Sequence, residues 1–293
     1  RRLETALAAL ASQTRWPDAE LVVIDSGSTD QTLDVVRGYT AHIHRLRPGE
    51  FGHGRTRNLA ARLARGEWLV YLSQDAVPAN TAWLATLTRH LAEPDMAATF
   101  GRQLPPDDVG PIETFFLEQT YPPRAFEHSP LDRPTPGGIR RIFFSNVNSA
   151  IQKPAWERCP FPEDVVMSED QAFARAALAA GYRIRYDPEA AVYHGHRYSL
   201  GQLFRRNFDS GYSLRDISGD RWLDVARLGA GYVWAEMRSL ARHGHWAWMP
   251  YAVVYEAVKS AGFAAGKAGH RLPAWLRPHL SLHRDYWSNP GGR

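Results

Sequence analysis

The chain has 293 residues, 44% hydrophobic and 23% charged, enough for one large domain with appendages or two small ones. A single cysteine, Cys159, excludes an intrachain disulfide, and the longest apolar run, from Tyr251 to Gly266, is interrupted by Glu256 and Lys259, which argues against a spanning helix. The net charge of +4 is uneven: from Arg197 onward fourteen Arg and Lys face seven Asp and Glu, so that section carries +7 and the rest −3. Such a section suits an anionic partner (a diphosphate, an acidic lipid surface or nucleic acid), or is simply a solvated basic face.

Arg1-Arg2-Leu3-Glu4 already lies in a helical pattern, with Leu3, Ala6, Leu7 and Leu10 on one face, and the chain reads as lacking its natural start. The pattern predicts a helix over 3–12, a buried strand over 20–25, and a helix over 30–39 with Asp30 as N-cap. A short strand follows over 42–46, a helix over 55–64 ended by Gly66, a strand over 67–72, a helix over 81–91 and a strand over 96–102. This alternation predicts an α/β fold: a mostly parallel, Rossmann-like sheet flanked by helices. Residues 104–140, rich in Pro and Gly, read as loop with one short helix near 113–119. A strand over 142–151, a helix over 169–180 closed by Gly181 and a strand over 182–193 complete the pattern. After Ser199 helical periodicity dominates, and tryptophan concentrates at Trp222, Trp234, Trp246, Trp248, Trp275 and Trp287.

Polar islands interrupt this frame. Asp25-Ser26-Gly27-Ser28-Thr29-Asp30 follows a strand and opens a helix, so it can turn tightly and reach a ribose or base, or merely cap the helix. Phe51-Gly52-His53-Gly54-Arg55-Thr56-Arg57-Asn58 brings two arginines to a helix start, which suits phosphate oxygens. Ser73-Gln74-Asp75-Ala76 places one acid just past a strand; one carboxylate can hold Mg²⁺ or Mn²⁺ if a diphosphate and another side chain complete the shell. Ser145-Asn146-Val147-Asn148-Ser149 sits inside an apolar strand and needs partners, either a sugar or the backbone at a bulge. Ser168-Glu169-Asp170-Gln171 opens a helix, where acids also serve as caps. His194-Gly195-His196 ends a strand, and Arg205 or Arg206 could clamp a diphosphate.

Taken in order, these motifs resemble family 2 glycosyltransferases, over roughly Leu3 to Asp209. Gln74-Asp75-Ala76, Tyr193-His194-Gly195-His196 and Arg206-Asn207-Phe208-Asp209 look most like bacterial rhamnosyltransferases. The resemblance implies a GT-A fold over 1–218, whose usual first strand and Pro-Thr-type turn are not present before Arg1, and a helical appendage over 219–293. It implies an inverting transferase with Asp170 as base beside Glu169. Donor-binding positions would be Asp25, Ser26, Gly27, Ser28, Arg57, Asn58, Gln74 and Asp75. A divalent Mg²⁺ or Mn²⁺ would sit on Asp75 with His194 or His196, the choice between the histidines being open. The implied donor is dTDP-L-rhamnose and the acceptor a surface polysaccharide or lipid-linked glycan. Competing readings are another donor, such as UDP-galactofuranose or UDP-glucose, and a nucleotide-sugar-binding module without turnover. No nucleic acid is expected, since the basic excess lacks a recognisable binding motif. The expected place is the cytoplasm, peripheral on the inner face of the plasma membrane, because tryptophan and arginine after Asp220 suit an anionic interface, although helical packing would account for most of those tryptophans as well.

Overall fold

The computed structural model describes residues 2–130, 142–215 and 222–288, with the backbone alone over 222–228. Helix α1 (Arg2–Ala11) buries Ala6 and Leu7, as its apolar stripe requires. Strand β1 (Val23–Asp25), helix α2 (Thr32–Arg37) and strand β2 (Ile43–Arg45) follow, then α3 (His53–Leu63), β3 (Trp68–Leu72), β4 (Val77–Pro78) and α4 (Trp83–Thr88). Next come β5 (Met96–Leu104), α5 (Pro111–Thr120), β6 (Phe126–His128), β7 (Asn148–Gln152), α6 (Lys153–Arg158), α7 (Glu169–Ala179) and β8 (Arg183–Tyr193). The chain then turns helical: α8 (Leu200–Leu214), α9 (Trp222–Arg242), α10 (Met249–Lys267), α11 (Arg277–Leu280) and α12 (Arg284–Ser288).

The central sheet flanked by helices is the expected α/β architecture, but its strand directions differ from expectation. Strands β1 and β2 pair in parallel as a separate two-stranded sheet. The main sheet runs β3-β7-β5-β8-β4, with β6 paired to β8. Within it only β5 and β8 are parallel; the other four pairings are antiparallel, so the sheet is mixed rather than mostly parallel. The reason is β7: it returns from the Pro- and Gly-rich stretch and inserts between β3 and β5, antiparallel to both. Some elements are shorter than predicted. The strand expected over 142–151 is regular only over Asn148–Gln152, and β1 is half-buried rather than buried. The helix expected from Asp30 starts at Thr32; the Asp30 carboxylate instead accepts the Thr32 N–H at 3.0 Å.

Apolar residues sort onto the two sheet faces. Consecutive residues of a strand point opposite ways, so Ala150 packs with Trp83, Leu87, Met96 and Val192, whereas Ile151 packs with Phe100, Phe161, Phe173 and Tyr186. Helix α8 begins with a reciprocal capping box between Ser199 and Gln202. Helix α10 lies against the α8 backbone, close enough that a Cβ at Gly262 would meet the Phe204 carbonyl. The expected domain boundary at residues 218 and 219 lies outside the described residues, as does the Trp222 side chain. Among the described residues, no helix is long and apolar enough to cross a membrane.

Candidate active site

Several of the candidate residues gather where β3 and β8 end and where α7 begins. The pairing of β4 with β8 sets Val77 against Tyr193. Asp75, two residues before Val77, is thereby brought beside His194 and His196. Asp75 Oδ1 lies 3.5 Å from His194 Nε2, and Oδ2 lies 3.8 Å from His196 Nδ1. One ligand atom from each of the three residues can be chosen within 4.8 Å of the others. Both histidines are thus neighbours of Asp75. The rings meet edge to face at 4.5 Å.

Burial pushes the His196 imidazole down to about 4, helped by His194 and opposed by Asp75. Asp75 is held below the usual carboxylate range: burial raises it, but the His194 contact and the charges of both histidines outweigh that. His194 is buried, and its Nδ1 lies 2.8 Å from Gln103 Oε1 in β5. With the amide so placed, Nδ1 carries a hydrogen, which leaves Nε2, on the Asp75 side, as the nitrogen a cation would take. A carboxylate oxygen and two imidazole nitrogens, one of them oriented from behind, fit a divalent cation. Nitrogen donors suit Mn²⁺ better than Mg²⁺, which prefers oxygen alone. Arg2, Thr5, Asp75, Val77, Pro106 and Tyr193 line a cleft of about 240 Å³ beside this cluster. Gln74, next to Asp75, is exposed.

The second half of the site is built on α3 and α7. Gly54 lets α3 approach the Pro162 carbonyl, which a Cβ would strike. Asn58 is buried and fully engaged: it donates to Phe161 O and Glu163 Oε1, each at 2.9 Å, and accepts from Trp156 Nε1 at 2.9 Å and Phe161 N at 3.1 Å. Its amide ties α3 to the loop before α7, so the expected contact with the donor is not one its side chain is free to make. Arg57, one residue earlier, ion-pairs with nearly buried Glu169. Asp170 accepts the Asn146 N–H at 3.3 Å and the Gln171 N–H at 2.9 Å. Burial raises its carboxyl above the usual range, against the pull of Arg57 and these backbone donors.

The two halves are joined through the sheet. Gln103 Nε2 donates to Ser145 Oγ at 3.1 Å and to Tyr121 OH at 2.6 Å, and Asn146, next to Ser145, donates to Asp170. The polar strand satisfies much of itself: Ser149 Oγ donates to Asn146 Oδ1 at 2.8 Å, and Asn148 bridges Trp83 Nε1 and the Ala190 carbonyl. One buried donor is left over there, Asn146 Nδ2.

Asp25 lies at the far end of β1, paired in register with Arg45 of β2. Its carboxylate accepts from Gly27 N at 3.3 Å and Ser28 N at 3.1 Å, and Arg45 Nε lies 3.4 Å away. Burial raises this acid, but Ser28, Gly27 and Arg45 hold it below the usual range. Gly27 takes φ +110°, leaving Ser26 and Gly27 at the surface of the turn. The acid therefore closes its own turn, and the turn faces outward.

Sequence reasoning missed Gln103, Glu113 and Tyr198. Glu113 Oε1 accepts the His196 N–H at 3.4 Å, and burial pushes its carboxyl up. Tyr198 lies between His196, at 5.3 Å, and the Arg206 guanidinium, at 5.5 Å. Of the two arginines considered, Arg206 is thus the one near the histidines. A signal existed for Gln103: a lone amide in an apolar strand must find partners.

Residues 1–143 match the family described as Glycosyl transferase family 2. The O-antigen chain rhamnosyltransferase WbaN of Salmonella anatum is 33% identical over 290 residues, 96% of this chain and 90% of that protein. The O-antigen chain rhamnosyltransferase RfbN of Salmonella typhimurium is 31% identical over 293 residues, 97% and 91% of the two chains. Among solved structures, S. aureus TarS is similar with a TM-score of 0.53 at 16% identity, over 92% of this chain and 53% of that one. The mannosyltransferase PcManGT from Pyrobaculum calidifontis, in complex with GDP-Man and Mn²⁺, gives 0.52 at 20% identity, over 98% and 81%. These structural likenesses show the fold, and the sequence relatives show the family. The chain belongs to glycosyl transferase family 2 and is a glycosyltransferase.

Proposed function

We propose that this glycosyltransferase moves L-rhamnose from dTDP-L-rhamnose to a growing polysaccharide or lipid-linked glycan, with inversion at the anomeric carbon. The observation that carries the mechanism is the hydrogen-bonded path from His194 through Gln103 to Ser145, whose neighbour Asn146, in the turn before β7, donates its N–H to Asp170. It joins the Asp75, His194 and His196 cluster to the half-buried Asp170 carboxyl, which desolvation pushes up. The two sequence relatives, both named as rhamnosyltransferases, support rhamnose as the sugar.

Asp170 takes the proton of the acceptor hydroxyl as that oxygen attacks the anomeric carbon. The bond from that carbon to the diphosphate oxygen breaks, the diphosphate leaves with the electron pair, and the proton stays on Asp170. A carboxylate raised by burial is the stronger base for this step. Glu169 is paired to Arg57, so it orients Arg57 and leaves the proton to its neighbour. Asp75, His194 and His196 would hold Mn²⁺ or Mg²⁺, which when bound offsets charge on the leaving diphosphate. The turn at Asp25, Ser26, Gly27 and Ser28 serves the nucleoside, with Arg57 and Gln74 toward the diphosphate; Asn58 supports Arg57 from within. Residues 1–218 would form the transferase unit and 219–293 the appendage.

The appendage is proposed to rest on the anionic inner face of the plasma membrane. Trp234, Trp246 and Trp275 are 72%, 63% and 70% exposed. Pro250, Val253, Val254, Ala257, Ala261 and Ala264 make the outward side of α10 free of charge, and Arg238 and Arg242 lie at the surface of α9. Trp287 is different: it packs on Tyr212 at 4.9 Å.

A panel of nucleotide sugars with and without Mn²⁺ or Mg²⁺ tests the reading. Transfer from dTDP-L-rhamnose that chelator abolishes, and that Asp75→Ala loses together with metal-dependent donor binding, is the expected result. Transfer from a UDP-sugar alone would replace the donor. Donor binding with no transfer to any glycan would favour a module without turnover.

A further inference from the structure

The C-terminal segment returns to the site along α8. Asp209 of α8 is fully buried and accepts the backbone N–H groups of Leu282 at 2.8 Å and His283 at 3.3 Å. Ser281 Oγ accepts from the same His283 N–H at 3.0 Å. This turn sets the His283 ring edge-on to His53, with centroids 4.8 Å apart and the two Nε2 atoms at 3.4 Å. One Nε2 must donate and the other accept, so the contact holds when both rings are neutral. Burial keeps them so: His53 is pushed down to about 3, helped by Arg57 and His283, and His283 is also lowered by burial against the pull of Asp209. His53 opens α3 one turn before Arg57, the partner of Glu169.

The same segment reaches the loop ahead of α7. Tyr286 OH donates to the Asp164 carbonyl at 2.6 Å. From α8, Ser213 Oγ accepts the Met167 N–H at 3.2 Å. That loop ends at Ser168, whose φ of +64° is the only positive value outside glycine among the described residues. A left-handed serine costs about 1–2 kcal/mol and persists only where its surroundings hold it. Asp170 follows two residues later.

We propose that Ser281–Trp287 is a positioning strap of the transferase site, with His283 bracing His53 and Arg57, and Tyr286 bracing the loop that presents Asp170. The inference rests on Asp170 as the base. The Tyr286 bond is a single partly exposed hydrogen bond, worth about 1 kcal/mol to stability at most. Its larger effect is on geometry, since a misplacement of about 1 Å at a reacting group can cost up to 100-fold in rate.

The test uses Tyr286→Phe, His283→Ala and the conservative His283→Gln in the full chain. Expected are a kcat lowered about tenfold by the first two, a donor KM within about twofold of wild type, partial recovery by His283→Gln, and a Tm within about 4 °C of wild type, so that the protein stays folded at the assay temperature. Amide exchange over residues 162–170 should rise in Tyr286→Phe while that of β5 stays constant, a readout needing no donor. Unchanged kcat, or a kcat loss that follows a fall in Tm, would overturn the strap, as would faster loop exchange with full turnover. If Asp170→Asn kept its turnover while the strap variants lost theirs, the base assignment would fall and the strap would stand on Arg57 and Glu169.

Discussion

Gln103 Oε1 lies 2.8 Å from His194 Nδ1, so an amide inside the sheet decides which nitrogen of the imidazole faces Asp75. Gln103 is buried at 4% exposure and also holds Tyr121 and Ser145. It is not among the residues that line the cleft. Its influence on a bound cation would pass through the tautomer of one ring.

Replacing Gln103 with Leu should therefore weaken Mn²⁺ binding about 10- to 100-fold with the fold retained. Gln103→Glu, which keeps an acceptor on Nδ1, should preserve most of it. Titration calorimetry with Mn²⁺ alone reads both. Equal affinity in Gln103→Leu and wild type would show that His194 is not a ligand.

Asp170→Asn should keep donor binding and lose turnover about 10²- to 10⁴-fold, because the neutral amide cannot accept a proton. Burial raises the Asp170 carboxyl. The acid limb of kcat/KM should accordingly lie above the ordinary Asp value of about 3.9, with activity falling as pH drops through it. A pH–rate profile flat down to that value would contradict the assignment.

Glu236 of α9 is fully buried, neither of its oxygens has a hydrogen-bond partner among the described residues, and burial together with Glu256 pushes it up to about 7, against Lys259. A carboxyl raised in the folded state binds its proton more tightly there than when unfolded. Stability should then be highest below about pH 4.5 for this group and fall as pH rises toward about 7. Glu236→Gln removes the cost, on the order of 3 kcal/mol, so it should stabilise at pH 8 and do little at pH 4.5. Urea unfolding of both proteins at the two pH values measures it; an equal shift at both would rule out titration as the cause.

Anionic vesicles at low salt should float with the protein, and salt should release it, because the charge attraction is screened. Reversing charge at Arg238 and Arg242, four apart on α9, should lower vesicle binding without touching donor binding. Retention in the soluble fraction at low salt would assign the exposed tryptophans to contact with another protein chain instead.

Several parts of the candidate site are legible in the amino-acid sequence. Asp75, Asp170, His194 and His196 stand out because a short polar motif at a strand end or helix start is a local pattern. The helices at Arg2–Ala11 and Glu169–Ala179 and the strand at Arg183–Tyr193 are readable for the same reason: their apolar spacing is contained within each segment. Asn58 looks like a donor-binding residue in the sequence because its true partners, Phe161 and Trp156, are about a hundred residues away in the chain. Gln103 and the Asp209–His283 turn are hidden on the same ground.

What the sequence determined by itself was the order of the elements, the acidic and histidine motifs, and through them the family. Strand direction was left to the tertiary structure. Periodicity reports which face of a strand is apolar, and it is the same read from either end, so nothing local sets β7 antiparallel between β3 and β5. Packing made that choice, and with it the contacts that carry Ser145 to Gln103 and Asn146 to Asp170. The tertiary structure also decided which polar groups are spent inside the protein and which are left for a ligand. A hydrogen-bond partner is a property of space, and two residues far apart in the chain carry no mark of each other until the fold brings them within about 3 Å.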